Sequence, residues 1–194
     1  GGVYDLVKQI PSFLRLIALK KAEELFCHLR NTDAPGIGAA SYGVRIDNPI
    51  EEKFRSHWHQ EFIVQPQSMD GVVFWTPLLK VTADMGPVIV CPRSHKDGLC
   101  VYSKSKAYAK KIGAYKIGLS DEEATVAKYE KIAPLTSPGD LILMDFLTIH
   151  QSGFNKSHRP RWSIQSRFFN YKEVTGMRIG WKASVTAGTD VEKI

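Results

Sequence analysis

The stretch His57-Trp58-His59-Gln60-Glu61 decides how the rest of this sequence is interpreted. It lies within a segment, Phe54 to Val64, that we predict to be a β-strand or a strand with a bend. Because side chains alternate between the two faces of a strand, His59 and Glu61 are expected to project to the same side. An imidazole and a carboxylate placed in this way can bind a divalent metal ion if a third ligand arrives from elsewhere in the fold.

A candidate third ligand, His150, follows a later apolar segment of the chain. Two histidines and one carboxylate, with the other coordination positions open, form the arrangement of non-haem Fe(II) oxygenases. Arg161 lies where the next strand could return a guanidinium group to the same place. Guanidinium groups bind carboxylates through two parallel hydrogen bonds. The four residues together could therefore hold iron and a dicarboxylate co-substrate.

The choice of ligands near residue 60 leaves alternatives open. His57 and His59 also form an H-x-H pair, which a cupin metal site would use together with a glutamate a few positions later. Ile63-Val64 stand at those later positions, so we prefer His59 with Glu61 and treat His57 as a neighbour in the substrate pocket. Asp145 could replace Glu61 as a ligand, but it lies near the middle of an apolar predicted strand.

The composition of the chain indicates a single globular domain covering residues 1–194. The 194 residues are 43% hydrophobic and 24% charged, which is ordinary for a soluble protein. The sequence shows no apolar run that could span a bilayer and no signal-peptide pattern, so we expect a cytoplasmic protein without membrane association. The cysteines are scattered and form no C-x-x-C pair, which favours a reducing compartment over a disulfide framework or a cysteine zinc site.

The formal net charge of +6 raises the question of an anionic partner. Lysines are densest between Lys96 and Lys116, but no nucleic-acid-binding motif accompanies them. A solvated lysine-rich surface is the plainer explanation. If these charges do serve binding, a small anionic substrate fits them better than a nucleic acid.

The order of predicted elements favours a mainly β fold with flanking helices. The N-terminal part, about 5–30, is expected to be helical, with one helix from Ser12 to Arg30 that Ser12 caps. A β core follows over about 40–171, interrupted by an insertion over about 99–133 with helical character in 106–118 and 121–131. Short strands separated by glycine and proline turns are typical of a sandwich or jelly roll. The predicted strands are Ala40–Ile46, Phe54–Val64, Gly71–Val81, Val88–Cys91, Leu141–Ile149 and Arg161–Tyr171.

Several motifs in this core occur together in one known family. They are Trp58-His59-Gln60-Glu61, the stretch from Met85-Gly86-Pro87 to Pro92-Arg93-Ser94-His95-Lys96, Gly139-Asp140, His150-Gln151-Ser152, Asn155 and Arg161. With them the sequence resembles, from about Tyr42 to Tyr171, the phytanoyl-CoA dioxygenase family of Fe(II)- and 2-oxoglutarate-dependent oxygenases. The resemblance implies a double-stranded β-helix (a cupin-like jelly roll) with helices packed outside.

The resemblance also implies a set of ligands. Iron would be bound by His59, Glu61 and His150, and 2-oxoglutarate would be anchored by Arg161 with help from Ser152. The spacing of Arg161 and Ser163 places a guanidinium and a hydroxyl on one strand face, which suits the far carboxylate of such a co-substrate. Trp75 and His95 would line the pocket, although Trp75 could also fill the core and His95 could be an ordinary turn residue.

The activity implied by the resemblance is hydroxylation of a small molecule with O2, releasing succinate and CO2. Three positions depart from the family pattern: Glu61 replaces the usual aspartate, Arg93 the usual glycine and Met85 the usual asparagine. Arg93 and Met85 alter the predicted rim of the substrate pocket, so the substrate does not follow from the resemblance. Glu61 favours hydroxylation over halogenation, since the family's halogenases lack the carboxylate ligand.

Three other classes of protein remain compatible with the sequence. A non-catalytic jelly-roll binding module would use the histidines structurally and hold no iron. A cupin-like enzyme would bind iron but need no 2-oxoglutarate. A basic nucleic-acid-binding protein would show binding that weakens steeply with salt.

Overall fold

The computed structural model describes residues 2–38, 42–104 and 117–180. Its helices are α1 (Gly2–Val7), α2 (Pro11–Ile17), α3 (Lys20–Arg30), α4 (Glu122–Ala127) and α5 (Val174–Arg178). Its strands are β1 (Pro35–Ile37), β2 (Gly43–Asp47), β3 (Gly71–Pro77), β4 (Val88–Val90), β5 (Tyr102–Lys104), β6 (Ile117–Leu119), β7 (Ile142–Asp145), β8 (His150–Ser152) and β9 (Arg161–Asn170). Three short 3-10 helices cover Glu61–Ile63, Ala83–Met85 and Ser94–Asp97.

Strand β9 is the centre of the larger sheet. It pairs with β3 along one edge, and with β2 and β1 in succession along the other, always antiparallel. Strand β7 extends the sheet beyond β3. The register of β2 against β9 places Asp47 opposite Arg161, which brings two oppositely charged side chains to one end of the sheet.

A second, smaller sheet consists of β4 and β8, also antiparallel. The main hydrophobic cluster contains side chains from both sheets, including Trp75 and Met144 from the larger sheet and Val88 and Val90 from the smaller one. Two antiparallel sheets around a shared core form the jelly roll that was predicted, and this prediction is confirmed.

The other face of the larger sheet is covered by the N-terminal helices. Phe13 and Ile17 of α2 pack on β2 and β9, whereas Phe26 of α3 packs against Val72 and Phe74 of β3. Both faces of β3 are therefore buried, which explains its nearly continuous apolar sequence.

The prediction of one continuous helix over Ser12–Arg30 was wrong, because two helices form there. The backbone leaves the helical conformation at Ala18 and Leu19, and α2 and α3 then pack on different parts of the sheet. Tertiary packing outweighs the continuous helical periodicity here. Ser12 is not the cap, because Ile10 precedes the helix and Pro11 occupies its first position.

The predicted strand from Phe54 to Val64 was also wrong. His59 makes only an isolated bridge, and a 3-10 helix begins two residues later. In the insertion, Ile117 and Gly118 belong to strand β6, which pairs with β5, and α4 covers only part of the predicted helical segment 121–131. Most of the predicted helical segment 106–118, with four of its lysines, lies outside the described residues. Within the described part of the chain, no helix is long and apolar enough to cross a membrane.

Candidate metal and co-substrate site

The backbone places His59 and His150 directly opposite each other in an antiparallel bridge. The amide of each residue donates a hydrogen bond to the carbonyl oxygen of the other, both at 3.0 Å. The centres of the two imidazole rings consequently lie 4.3 Å apart. Strand β8 begins at His150, so one ligand candidate is carried by the smaller sheet and the other by the loop that bridges to it.

Glu61 reaches the same place from the first residue of a 3-10 helix. The intervening Gln60 has an extended backbone (φ −104°, ψ 140°), so the alternation expected of a strand holds over these three residues although no longer strand forms. The Gln60 side chain is completely buried and bonds to the backbone of Gly98, Cys100 and Leu147. These bonds fix the segment between the two ligand candidates.

Candidate ligand atoms of His59, Glu61 and His150 all lie within 4.8 Å of one another. Glu61 Oε2 is 3.6 Å from His150 Nε2 and 3.9 Å from His59 Nε2, and it is buried without a hydrogen-bond partner in the described chain. In each histidine Nδ1 donates to a backbone carbonyl oxygen, of His57 at 2.7 Å and of Thr148 at 2.9 Å. This tautomer leaves the lone pair on Nε2, as a metal-binding imidazole requires.

The electrostatics keep Glu61 and His59 in their ligating forms. Burial by itself would raise the pKa of the Glu61 carboxyl, but the Arg167 guanidinium and the two imidazoles outweigh it and hold that pKa well below its usual range. Arg167 Nε donates to Glu61 Oε1 at 3.0 Å. Burial, followed by the proximity of His150, lowers the pKa of His59 to about 3. The carboxylate is thus ionised and the imidazole neutral at physiological pH.

Arg161 is the largest completely buried side chain, only 1% exposed. Its Nη2 donates to Asp47 Oδ2 at 2.7 Å, while Nε and Nη1 have no hydrogen-bond partner among the described residues. Asp47 also accepts three hydrogen bonds from Arg45, at 2.7–3.0 Å. A buried guanidinium with donors left over is costly unless an anionic ligand satisfies it.

A single cleft of about 390 Å³ connects these groups. Its polar lining includes the three metal-ligand candidates and Arg161. Its lining residues are Arg45, Ser56, His59, Glu61, Val73, Trp75, Val88, Met144, His150, Gln151, Ser152, Arg161, Gln165 and Arg167. One cleft therefore contains both the candidate metal ligands and a buried guanidinium.

The other residues predicted to bind the co-substrate lie in or next to this cleft. Trp75 and Ser152 line it, and the Ser152 hydroxyl lies 2.9 Å from that of Ser56. Ser163 does not line the cleft. It follows Arg161 on the same face of β9, and its buried hydroxyl has no hydrogen-bond partner in the described chain. Trp75 has both of the roles considered for it, since it also belongs to the main hydrophobic cluster.

The three residues predicted for the substrate pocket are not among those that line this cleft. His57 is buried and bonds through Nε2 to the carbonyl oxygen of Ile117 at 2.8 Å, which ties the ligand segment to the insertion. His95 lies in a 3-10 helix, and Arg93 before it is exposed. Arg93 has φ 68°, a left-handed conformation that favours glycine, in agreement with the glycine usual in the family. Asp145 is not a ligand candidate, because its carboxylate pairs with Arg30.

The polar residues of the site that were not predicted from the sequence include Arg45, Asp47, Gln165 and Arg167. A signal existed for two of them, since Gln165 and Arg167 share the predicted strand face of Arg161. Arg45 and Asp47 also alternate on one strand, but nothing in the sequence indicated that this strand would pair with the segment that begins at Arg161.

Comparison with known proteins agrees with this geometry. The family model described as phytanoyl-CoA dioxygenase (PhyH) matches residues 46–163, more than half of the chain. The chain belongs to the phytanoyl-CoA dioxygenase family. This family lies within the superfamily of Fe(II)- and 2-oxoglutarate-dependent oxygenases. No curated protein sequence matches the chain significantly.

Solved structures with the same fold come from enzymes of this superfamily. The non-heme α-ketoglutarate-dependent epimerase SnoN from nogalamycin biosynthesis, in complex with Fe3+, α-ketoglutarate and nogalamycin RO, is similar with a TM-score of 0.68 and 15% identity over 87% of this chain and 62% of SnoN. EctD from S. alaskensis, with 2-oxoglutarate and 5-hydroxyectoine, has a TM-score of 0.63 and 19% identity over 86% of this chain and 55% of EctD. The chain thus spans roughly three fifths of the length of these enzymes, and at such identities the likeness shows the fold alone.

Proposed function

We propose that this chain is an Fe(II)- and 2-oxoglutarate-dependent oxygenase that hydroxylates a small anionic substrate and releases succinate and CO2. The observation that carries the proposal is the convergence of His59, Glu61 and His150 within 4.8 Å, in the cleft that Arg161 also lines. SnoN and EctD, which share the fold, are described with iron or 2-oxoglutarate or both. The proposal extends those ligands to this chain on the basis of its own residues.

The donor set fits Fe(II). Two imidazoles and one carboxylate suit that ion, and three protein ligands leave other coordination positions open. The buried, unpartnered Glu61 Oε2 is the feature that a metal ion would satisfy, because an isolated charged oxygen in the interior is otherwise costly. His59 and His150 would ligate through Nε2, the nitrogen that the backbone carbonyl contacts leave unprotonated.

The co-substrate would be held mainly by Arg161. A carboxylate can accept a hydrogen bond from Nε or from Nη1, the two atoms that have no partner among the described residues. Asp47 holds the guanidinium through Nη2, so that these donors are in place before binding. Ser152 is the predicted hydroxyl that lines the cleft, and Trp75 provides an apolar wall that limits access of water.

Bound iron and 2-oxoglutarate together supply the oxidising chemistry with O2, and the protein supplies binding, orientation and exclusion of water. Val73, Val88 and Met144 extend the apolar wall of Trp75. Arg45, Arg161 and Arg167 line the cleft, and in the described parts of the chain their carboxylate partners there are Asp47 and Glu61 alone. The resulting excess of positive charge favours an anionic substrate.

The experiment that tests the proposal measures succinate release from 2-oxoglutarate. The protein is loaded anaerobically with Fe(II), and a panel of small carboxylates and phosphates is added with O2. We expect at least one compound to stimulate succinate formation and to gain one oxygen atom, as measured by mass spectrometry. A His150→Ala variant is the matched control and should form no substrate-stimulated succinate. Absence of bound iron and of succinate would instead indicate a non-catalytic binding module.

A further inference from the structure

We propose that Arg167 is a positioning residue for the metal centre, which holds one oxygen of Glu61 so that only the other faces the two imidazoles. The inference rests on the proposed function, because it concerns the same metal site. It assigns to Arg167 a role in metal binding that is separate from co-substrate binding by Arg161.

The geometry divides the two oxygens of Glu61 between two tasks. Arg167 Nε donates to Oε1 at 3.0 Å. Oε2 accepts no hydrogen bond within the described chain and lies 3.6 Å from His150 Nε2. The side chain of Glu61 is only 1% exposed, so water does not compete for Oε1. The carboxylate is therefore oriented before any metal arrives.

Glutamate needs such a restraint more than aspartate does. Its side chain has one more methylene and one more rotatable bond than the aspartate usual at this position of the family motif. Each additional torsion adds rotamers that must be lost when the ligand is fixed. An unrestrained glutamate could also present both oxygens to a metal, whereas the bond from Arg167 to Oε1 leaves Oε2 as the ligand.

Arg167 is itself held in place. Its Nη2 donates to Gln165 Oε1 at 2.7 Å. Both residues lie on the face of β9 that also carries Arg161, and all three line the cleft. One strand face thus carries the anion anchor at its beginning and the arginine that orients the metal ligand towards its end.

A purely electrostatic role for Arg167 predicts the opposite effect on metal binding. A cation so close to the site repels a divalent metal ion, so its removal alone would tighten binding. Loss of a positioning contact weakens metal binding instead, typically by about 10- to 100-fold for groups that orient a ligand. The direction of the change therefore distinguishes the two roles.

The test is a titration of the metal-free full chain with Co(II), whose ligand-field absorption reports the coordination of the site. Arg167→Met removes both the charge and the donor, and Arg167→Lys keeps the charge but replaces the planar group. We expect Arg167→Met to weaken Co(II) binding by about 10- to 100-fold and to change the absorption spectrum, with a smaller loss for Arg167→Lys. Arg159→Gln, which removes an exposed positive charge outside the cleft, should behave as the unaltered protein.

A second comparison uses a protein without the carboxylate. In a Glu61→Gln background, adding Arg167→Met should cause no further loss of Co(II) affinity, because the side chain no longer offers the anionic oxygen that Arg167 turns towards the metal. Unchanged or tighter binding in the single Arg167 variants, with an unchanged spectrum, would overturn the inference while leaving the proposed function intact. Failure of the unaltered protein to bind Co(II) would overturn both. Circular dichroism checks folding, and Arg167→Lys carries the test if the methionine variant does not fold.

Discussion

Arg161 and Asp47 form a pair in which each side chain depends on the other. Burial would raise the pKa of the Asp47 carboxyl, but Arg45 and Arg161 reverse that effect and hold the pKa below its usual value. Burial lowers the pKa of Arg161, and Asp47 opposes that change. The pair keeps both groups charged in the interior, although a buried ion pair is not in itself strongly stabilising.

The pH dependence of stability follows from the lowered pKa of Asp47. The carboxyl of an unfolded aspartate has a pKa of about 3.9. The contribution of the native pair to stability is therefore complete above that pH, and it is lost as the pH falls through the lower pKa of the folded state. We expect Asp47→Asn to reduce the free energy of unfolding at pH 7 by about 3 kcal/mol, because it removes one partner of a buried pair. Below pH 4 the variant should lose stability less steeply than the unaltered protein. Urea unfolding at pH 7, 5 and 3 measures both effects, and parallel curves would exclude the assignment.

Arg161 also allows a prediction about co-substrate binding. Arg161→Ala removes charge-assisted hydrogen bonds worth about 1.5–3 kcal/mol each, so the KM for 2-oxoglutarate should rise at least tenfold. Affinity for Co(II) in the absence of 2-oxoglutarate should change little, since Arg161 does not contact the ligand candidates. An unchanged KM would remove Arg161 from the co-substrate site.

The smaller sheet is the element that delivers His150. Its register places Val90 opposite His150 and Val88 opposite Ser152. Gly86 precedes β4 with φ 65°, and a Cβ atom there would lie 2.5 Å from the carbonyl carbon of Phe154. Glycine is thus required at this position for two reasons: the backbone is left-handed there, and a second backbone segment lies too close for a Cβ atom.

Substitution of Gly86 should therefore disturb the site as well as the fold. We expect Gly86→Ala to destabilise the protein by about 3 kcal/mol, more than the ~1–2 kcal/mol of a left-handed alanine alone. It should also weaken Co(II) binding, because strand β4 shifts against β8. Gly180→Ala is the matched control: its φ is 72°, but its Cβ would meet no atom within 4 Å. Equal losses of stability in the two variants would contradict the close approach at Gly86.

At the scale of the whole molecule, metal binding should be linked to folding. The proposed ligands come from a loop and from the start of β8, far apart in the chain, so the unfolded state holds no preformed site. A metal at 100 times its Kd adds about 2.7 kcal/mol, or about 5–11 °C in Tm for a domain of this size. Thermal unfolding with and without Co(II) should show this increase, and Glu61→Gln should reduce it at the same Co(II) concentration. A shift of undiminished size in Glu61→Gln would place the metal elsewhere.

The sequence alone determined the local features of the protein. The apolar segments with their turn residues predicted a jelly roll with helices outside, and the motif spacing nominated His59, Glu61, His150 and Arg161. These predictions depend on residue type and short-range periodicity, which are properties of the chain itself. The strand predicted at 54–64 does not form, but the extended backbone of Gln60 keeps the alternation on which the choice of His59 and Glu61 rested.

Only the tertiary structure decided which polar groups meet around those candidates. The pairing of Asp47 with Arg161 follows from the register of β2 on β9, and the bond from Arg167 to Glu61 follows from a loop packed against the face of β9. The break at Ala18 and Leu19 likewise arises because α2 and α3 cover different parts of the sheet. Contacts between distant segments are set by the global packing of the core, which local sequence patterns do not specify.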